Sequence, residues 1–207
     1  MKTKLLVTLL ACLASTSCKD SPVAEAPAAG ADAPDISVTD SNGKTHTVSQ
    51  YRGKTVVLEW FNPGCPFVVK HYGSGNMQKL QEEFTSKGVV WLTIDSSAPF
   101  RQGHLDAEEA NAKMTEWKMK PTALLLDPEG KAGQTYGAKN TPHMFVISPD
   151  GKVIYQGAID SKATTKPEDI AGSTNYVKVA LDESMAGKPV TTASTRPYGC
   201  SVKYKFF

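Results

Sequence analysis

The amino-acid sequence predicts an α/β sandwich, a mixed central sheet flanked by helices. Short apolar runs such as VVLEWF, VVWLTID and TALLLD alternate with stretches whose apolar residues recur at helical spacing. Two further apolar runs, HMFVIS and KVIYQGA, are separated only by Pro149-Asp150-Gly151, a turn that makes them an antiparallel hairpin. A last stretch of helical pattern, residues 176–185, closes the order.

Each element has its own local reason. ISVTDSNGKTHTVSQYRGK gives two short strands around an Asn42-Gly43 turn, an N-terminal β-hairpin extension to the sheet. VVLEWF follows as a buried strand. Residues 66–87 carry Met77, Leu80 and Phe84 at helical spacing with Gly88 as the stop, and Tyr72-Gly73-Ser74-Gly75 marks a bend or break within them. Residues 89–95 are a buried strand, 106–119 a helix, 122–127 a strand ending in a Pro-Glu-Gly turn, and 131–136 a short helix. The domain spans residues 35–187, and residues 188–207 form an extended tail.

Length and composition set the outer limits. The chain has 207 residues, 40% hydrophobic and 21% charged, which suits one domain with a core plus appended segments. A formal net charge of +2, with no basic stripe interleaved with aromatics, gives no electrostatic case for nucleic acid. Lys2 and Lys4 followed by the apolar residues 5–14 and then small residues read as a secretory signal over residues 1–18. Small residues leading into Cys18 resemble a bacterial lipoprotein box, although Ser15 stands where such boxes have Leu, so lipidation of Cys18 and plain secretion both stay open. Either way the protein is exported, to the periplasm or cell envelope, with membrane attachment through an acylated Cys18 in the first case. Residues 19–34, rich in Ala and Pro and without periodicity, read as a flexible linker. The domain and its tail then hold two thiols, Cys65 and Cys200, in a compartment that favours disulfides or redox chemistry.

Cys65 lies where the strand VVLEWF breaks at Asn62-Pro63-Gly64 and a helix begins, with Pro66 at a favoured first-turn position. A thiolate there faces unpaired backbone N–H groups and the positive helix end, which lowers its pKa and makes a nucleophile. The alternative is a buried structural cysteine.

WFNPGCPFV resembles the active-site turn of the thioredoxin superfamily, and TPHMFVISPDGKVIYQGAID resembles its second signature. Residues 35–185 follow the order of a redoxin domain, most similar to the peroxiredoxin-like branch of the alkyl hydroperoxide reductase/thiol-specific antioxidant group. The resemblance implies a thioredoxin-like fold, Cys65 as the attacking cysteine, and Pro142 as a cis-proline beside its sulfur. It also implies a proton-relaying carboxyl six positions before the cysteine, where Glu59 stands; the alternative is an edge residue reaching solvent or Lys54. Departures from the pattern are plain. Val68 occupies the place of a thioredoxin's second cysteine. Leu58 and Asn62 stand where a peroxiredoxin has Pro and Thr, and no Arg lies in Pro142-His143-Met144-Phe145.

These residues lead us to expect an exported thiol-dependent oxidoreductase in which Cys65 attacks a peroxide. Thiol–disulfide exchange on protein disulfides is the alternative, and a non-catalytic thioredoxin-fold adaptor is the third reading. No cofactor or metal is called for, and the reducing partner is an external thiol donor. A sulfenic acid or a mixed disulfide at Cys65 needs a second thiol, and Cys200 is the intramolecular candidate. Thirteen extended residues, 188–200, reach roughly 40 Å, while packing of an idle Cys200 remains the alternative.

Overall fold

The computed structural model of the protein describes residues 24–205, so the signal and Cys18 readings lie outside the described residues. In chain order the elements are β1 (Ser37–Asp40), β2 (Thr45–Thr47), β3 (Val56–Phe61), α1 (Pro66–Gly73), α2 (Asn76–Thr85), β4 (Val90–Asp95), α3 (Ala107–Glu116) and β5 (Ala123–Leu126). There follow α4 (Lys131–Thr135), β6 (Asn140–Thr141), β7 (His143–Ile147), β8 (Val153–Gly157), α5 (Tyr176–Met185) and β9 (Cys200–Ser201). Seven of the described strands make one thioredoxin-like mixed sheet in the order β2-β1-β5-β4-β3-β7-β8. β3 runs parallel to β4 and antiparallel to β7, and β1 pairs antiparallel with both β2 and β5. The N-terminal hairpin is therefore the far edge of the central sheet.

β3 has neighbours on both edges and cover on both faces, and all six of its residues are buried. Strand alternation sorts them. Val56, Leu58 and Trp60 join a cluster with Ile94, Tyr136 and Phe145. Val57 and Phe61 join the other cluster, with Tyr72, Met77 and Phe84 from α1 and α2 and with Leu181 from α5. Glu59 alternates with Val57 and Phe61, so it points toward α1 and α2.

The break expected at Tyr72-Gly73-Ser74-Gly75 is a true division between two helices, with Gly75 at φ +74 as the N-cap of α2. α3 is shorter than the periodicity predicts, because Lys118 turns left-handed at φ +49 two residues beyond Glu116. Asp106 caps it in a capping box with Glu109. Residues 24–34 also differ from the linker reading. They run along the domain, with Gly30 N–H and Ala33 N–H donating to the Val153 and Gly151 carbonyls at 2.7 and 2.9 Å and an Asp32–Lys152 bridge. Their composition lacks a period because the segment adds to the end of the β8 hairpin without burying a face of its own.

The tail packs back on the domain as expected, but it does so as a strand. β9 pairs antiparallel with β6, Thr141 opposite Cys200. Val202 and Tyr204 are buried, and the Tyr204 hydroxyl donates to the Ala138 carbonyl at 2.8 Å.

Phe145 sits at the centre of one face, its ring 5.4 Å from that of Trp60 and 5.1 Å from that of Tyr136. Phe145→Ala should lower the urea midpoint by the equivalent of about 3–5 kcal/mol with an unchanged slope, as chemical denaturation will measure.

Candidate active site

The turn before α1 is built by Asn62. Its Oδ1 accepts from Gly64 N–H at 2.8 Å, its carbonyl accepts from Cys65 N–H at 3.1 Å, and its Nδ2 donates to the Gln102 carbonyl at 2.9 Å. Its amide is thus spent on the turn and the neighbouring loop, not on the sulfur as a substitute for a missing Thr. Cys65 is the N-cap of α1 and Pro66 its first residue, and the cysteine is fully buried.

Across from it the Thr141–Pro142 peptide is cis, and the Cys65 thiol donates to the Thr141 carbonyl at 3.0 Å. Pro142 thus follows directly on the residue that touches the sulfur. Cys200, opposite Thr141 in the β6–β9 pair, brings its thiol beside the same sulfur. Both cysteines are free thiols, and Cys200 is half-buried. Gly199 lets the tail approach this closely. Its φ is +111, and a side-chain carbon there would lie 2.1 Å from the Thr141 carbonyl oxygen.

The two thiols are driven apart electrostatically. Burial pushes Cys65 up, but hydrogen bonds from the Thr141 and Cys200 side chains and from the Cys200 and Val68 backbone outweigh it, and the net pKa lies below the ordinary value. Burial, then the hydrogen bond and charge of Cys65, push Cys200 up to about 11. The pair thus consists of one thiol that loses its proton more readily than usual and one that keeps it.

Glu59 is buried, not turned to solvent or Lys54. Oε1 accepts from the Tyr72 hydroxyl at 2.8 Å, and Oε2 accepts from Trp91 Nε1 at 2.8 Å, Thr93 Oγ1 at 3.0 Å and Gln81 Nε2 at 3.2 Å. Tyr72 and Trp91 belong to the same apolar cluster as Cys65. Burial outweighs these four donors, none of them a cation, and its pKa is raised.

The histidines take structural places. His71 is fully buried, with Nδ1 2.9 Å from Asn76 Nδ2 and Nε2 3.3 Å from the Tyr198 hydroxyl. Burial, against the opposing charge of Asp160, lowers its pKa to about 4. His143, also at about 4 through burial, lies against the Phe145 ring with Nε2 3.3 Å from Gln156 Oε1. Ser96 is buried, donates to Asp127 Oδ2 at 2.6 Å and accepts from Trp60 Nε1 at 3.1 Å. Trp60 and Trp91 are core residues and Trp117 is half-buried against Tyr72 and Phe61. Sequence reasoning missed Thr141, Tyr72, Gln81 and Tyr198; only the aromatic in RPYGC carried a visible signal for the last.

Residues 29–156 match the AhpC/TSA family. The chain is 30% identical over 128 residues to the thiol-disulfide oxidoreductase ResA of Bacillus thuringiensis, an alignment covering 61% of this chain and 68% of that one. It is 28% identical over 154 residues to ResA of Geobacillus thermodenitrificans, covering 74% and 83%. The fold is similar to an uncharacterized conserved protein of Geobacillus kaustophilus, with a TM-score of 0.73 at 23% identity over 86% of this chain and 93% of that one.

Two titrations check the electrostatics. Thiolate ultraviolet absorbance should rise in two separate steps, the second near about 11, and Cys200→Ala should abolish the second and move the first upward. Glu59 holds its proton to higher pH in the folded chain than in the unfolded one. Its contribution to stability is therefore complete below the unfolded carboxyl value of about 4.3 and declines as pH rises through the folded value. Glu59→Gln should flatten that decline in a series of denaturation midpoints against pH; a slope identical to wild type would refute the assignment.

Proposed function

We propose, on the premise that the chain belongs to the AhpC/TSA family, that it is a thiol–disulfide oxidoreductase whose working pair is Cys65 and Cys200. The observation that carries this reading is the meeting of two free thiols at Thr141, where Cys65 Sγ donates to its carbonyl at 3.0 Å and Cys200 stands opposite it in the β6–β9 pair, one pKa lowered and the other raised. The names of the ResA relatives support exchange over the peroxide reduction expected from the sequence.

In the proposed cycle the Cys65 thiolate attacks one sulfur of a substrate disulfide. A Cys65–substrate bond forms, the substrate S–S bond breaks, and the first substrate thiolate leaves and takes up a proton. Cys200 then attacks the Cys65 sulfur, forming the Cys65–Cys200 bond and expelling the second substrate sulfur, which ends with the proton that Cys200 gave up. Two electrons pass from the protein to the substrate, and an external thiol donor restores them. Pro142 shapes the wall beside the sulfur, and Glu59, the buried acid with a raised pKa, serves as the proton relay. A cleft of about 510 Å³ lined by Gly64, Pro66, Val69, Lys70, Gly73, Thr165 and Pro167 adjoins the Cys65 turn and offers room for a polypeptide substrate.

We place the protein outside the cytoplasm, in the periplasm or cell envelope, on the strength of the basic and apolar pattern of residues 1–18. Labelling with a fatty-acid probe distinguishes acylation of Cys18 from simple cleavage.

Cys200→Ser, presented with a disulfide-bonded protein, should accumulate a mixed disulfide at Cys65 visible by mass spectrometry, whereas Cys65→Ser should accumulate none. Peroxide in place of the disulfide tests the second reading. Rapid Cys65 sulfenic acid formation, with protein disulfides reduced no faster than by a free thiol, would transfer the assignment to peroxide reduction. Inertness of Cys65 toward both would leave the adaptor reading.

A further inference from the structure

We propose that Asp160 is a positioning residue that holds Cys200 against Cys65, acting through the hydroxyl of Tyr198. The inference rests on the exchange reading above and names the device that keeps its second thiol in place.

Asp160 is almost fully buried, three residues beyond β8. Its Oδ1 accepts from the Tyr198 hydroxyl at 2.5 Å and from Lys162 N–H at 2.9 Å. Its Oδ2 accepts from Lys70 Nζ and from Ser173 Oγ, each at 3.3 Å, and His71 Nε2 lies 3.7 Å away. A buried carboxylate is tolerated only when paired and hydrogen-bonded, and besides Lys162 and Ser173 its partners come from α1 and from the tail. Lys70 and His71 belong to α1, the helix that starts at the nucleophile. Tyr198 belongs to the tail, two residues before Cys200. The carboxylate therefore fastens the second thiol to the helix that presents the first.

The linkage has little slack. Only Gly199 separates Tyr198 from Cys200, and its backbone runs in contact with the Thr141 carbonyl, with Phe67 Cβ 3.5 Å from where a side chain would begin. The Tyr198 ring packs on Phe67, centroids 5.6 Å apart, and Lys70 Nζ lies 6.0 Å from its centre. Downstream, Val202 N–H donates to the Lys139 carbonyl at 3.1 Å. Cys200 is thus held from both sides, and the upstream hold ends on a charged acceptor, where a hydrogen bond is strongest. A second thiol held in this way acts at a high effective concentration on a sulfur that is otherwise fully covered.

The test equilibrates the full chain with reduced and oxidised glutathione and measures, after acid quenching, the fraction carrying the Cys65–Cys200 disulfide. Oxidised glutathione takes two electrons from the two cysteines, giving two glutathione thiols and one protein S–S bond. Tyr198→Phe keeps the ring and removes the hydroxyl; it should lower the effective molarity of the pair by about tenfold or more, the weight of one hydrogen bond to a charged acceptor. The same variant should let iodoacetamide reach Cys65 faster. Tyr204→Phe, which removes a tail hydroxyl donating to a neutral carbonyl, should leave the glutathione equilibrium as in wild type, although it too lowers thermal stability. Asp160→Asn should follow Tyr198→Phe, and if it does not fold Tyr198→Phe decides alone. A wild-type effective molarity in Tyr198→Phe overturns the positioning role and leaves the exchange reading standing. Absence of any Cys65–Cys200 disulfide in wild type at every glutathione ratio overturns the exchange reading and this inference with it.

Discussion

The Cys65 sulfur meets the Thr141 carbonyl at 3.0 Å, and the parts of the molecule around that sulfur are arranged by the approach. From one side comes the central strand β3, whose end at Asn62-Pro63-Gly64 delivers the sulfur to the start of α1. From the other comes β6, joined through Pro142 to β7, which is itself hydrogen-bonded to β3 in the sheet. Two neighbouring strands thus fix both partners of the contact, and the rigidity of the sheet becomes the rigidity of the site. The tail strand then adds a third party on the edge of Thr141, opposite in register.

Two buried carboxyls serve this arrangement in different ways, and their donors explain the difference. Glu59 has a phenol, an indole, a hydroxyl and an amide, all neutral, and burial wins over them. Asp160 has an ammonium, a phenol, a hydroxyl and a backbone N–H. The first environment favours a carboxyl able to hold or release a proton. The second joins α1 to the tail through a buried carboxylate that is ion-paired with Lys70 and accepts from Tyr198.

Much of this was legible in the sequence because local rules and burial agreed. VVLEWF is apolar at five of its six positions because β3 is covered on both faces, and the single acid within it marks an internal polar site. Pro66 after Cys65 announced a helix start, and Asn62-Pro63-Gly64 announced the break before it. Two glycines and a serine announced the division between α1 and α2. The parts that were not legible depend on contacts between residues far apart in the chain. Nothing in Thr141 itself says that its carbonyl will face a sulfur 76 residues away. β6 and β9 are two residues each, too short for any periodicity. Asp160 and Tyr198 carry no pattern that joins them, and the Ala/Pro composition of residues 24–34 hides backbone pairing that needs no particular side chain.

The cover over Cys65 is drawn from the far end of the chain. Cys65 and Cys200 stand 135 residues apart, and closing a loop of that length carries an entropic cost that the contacts of the tail must offset. A covalent bond between the two sulfurs would impose the same closure on the unfolded chain, so an oxidised form would gain stability over the reduced one by narrowing the unfolded ensemble rather than by adding a contact to the folded one.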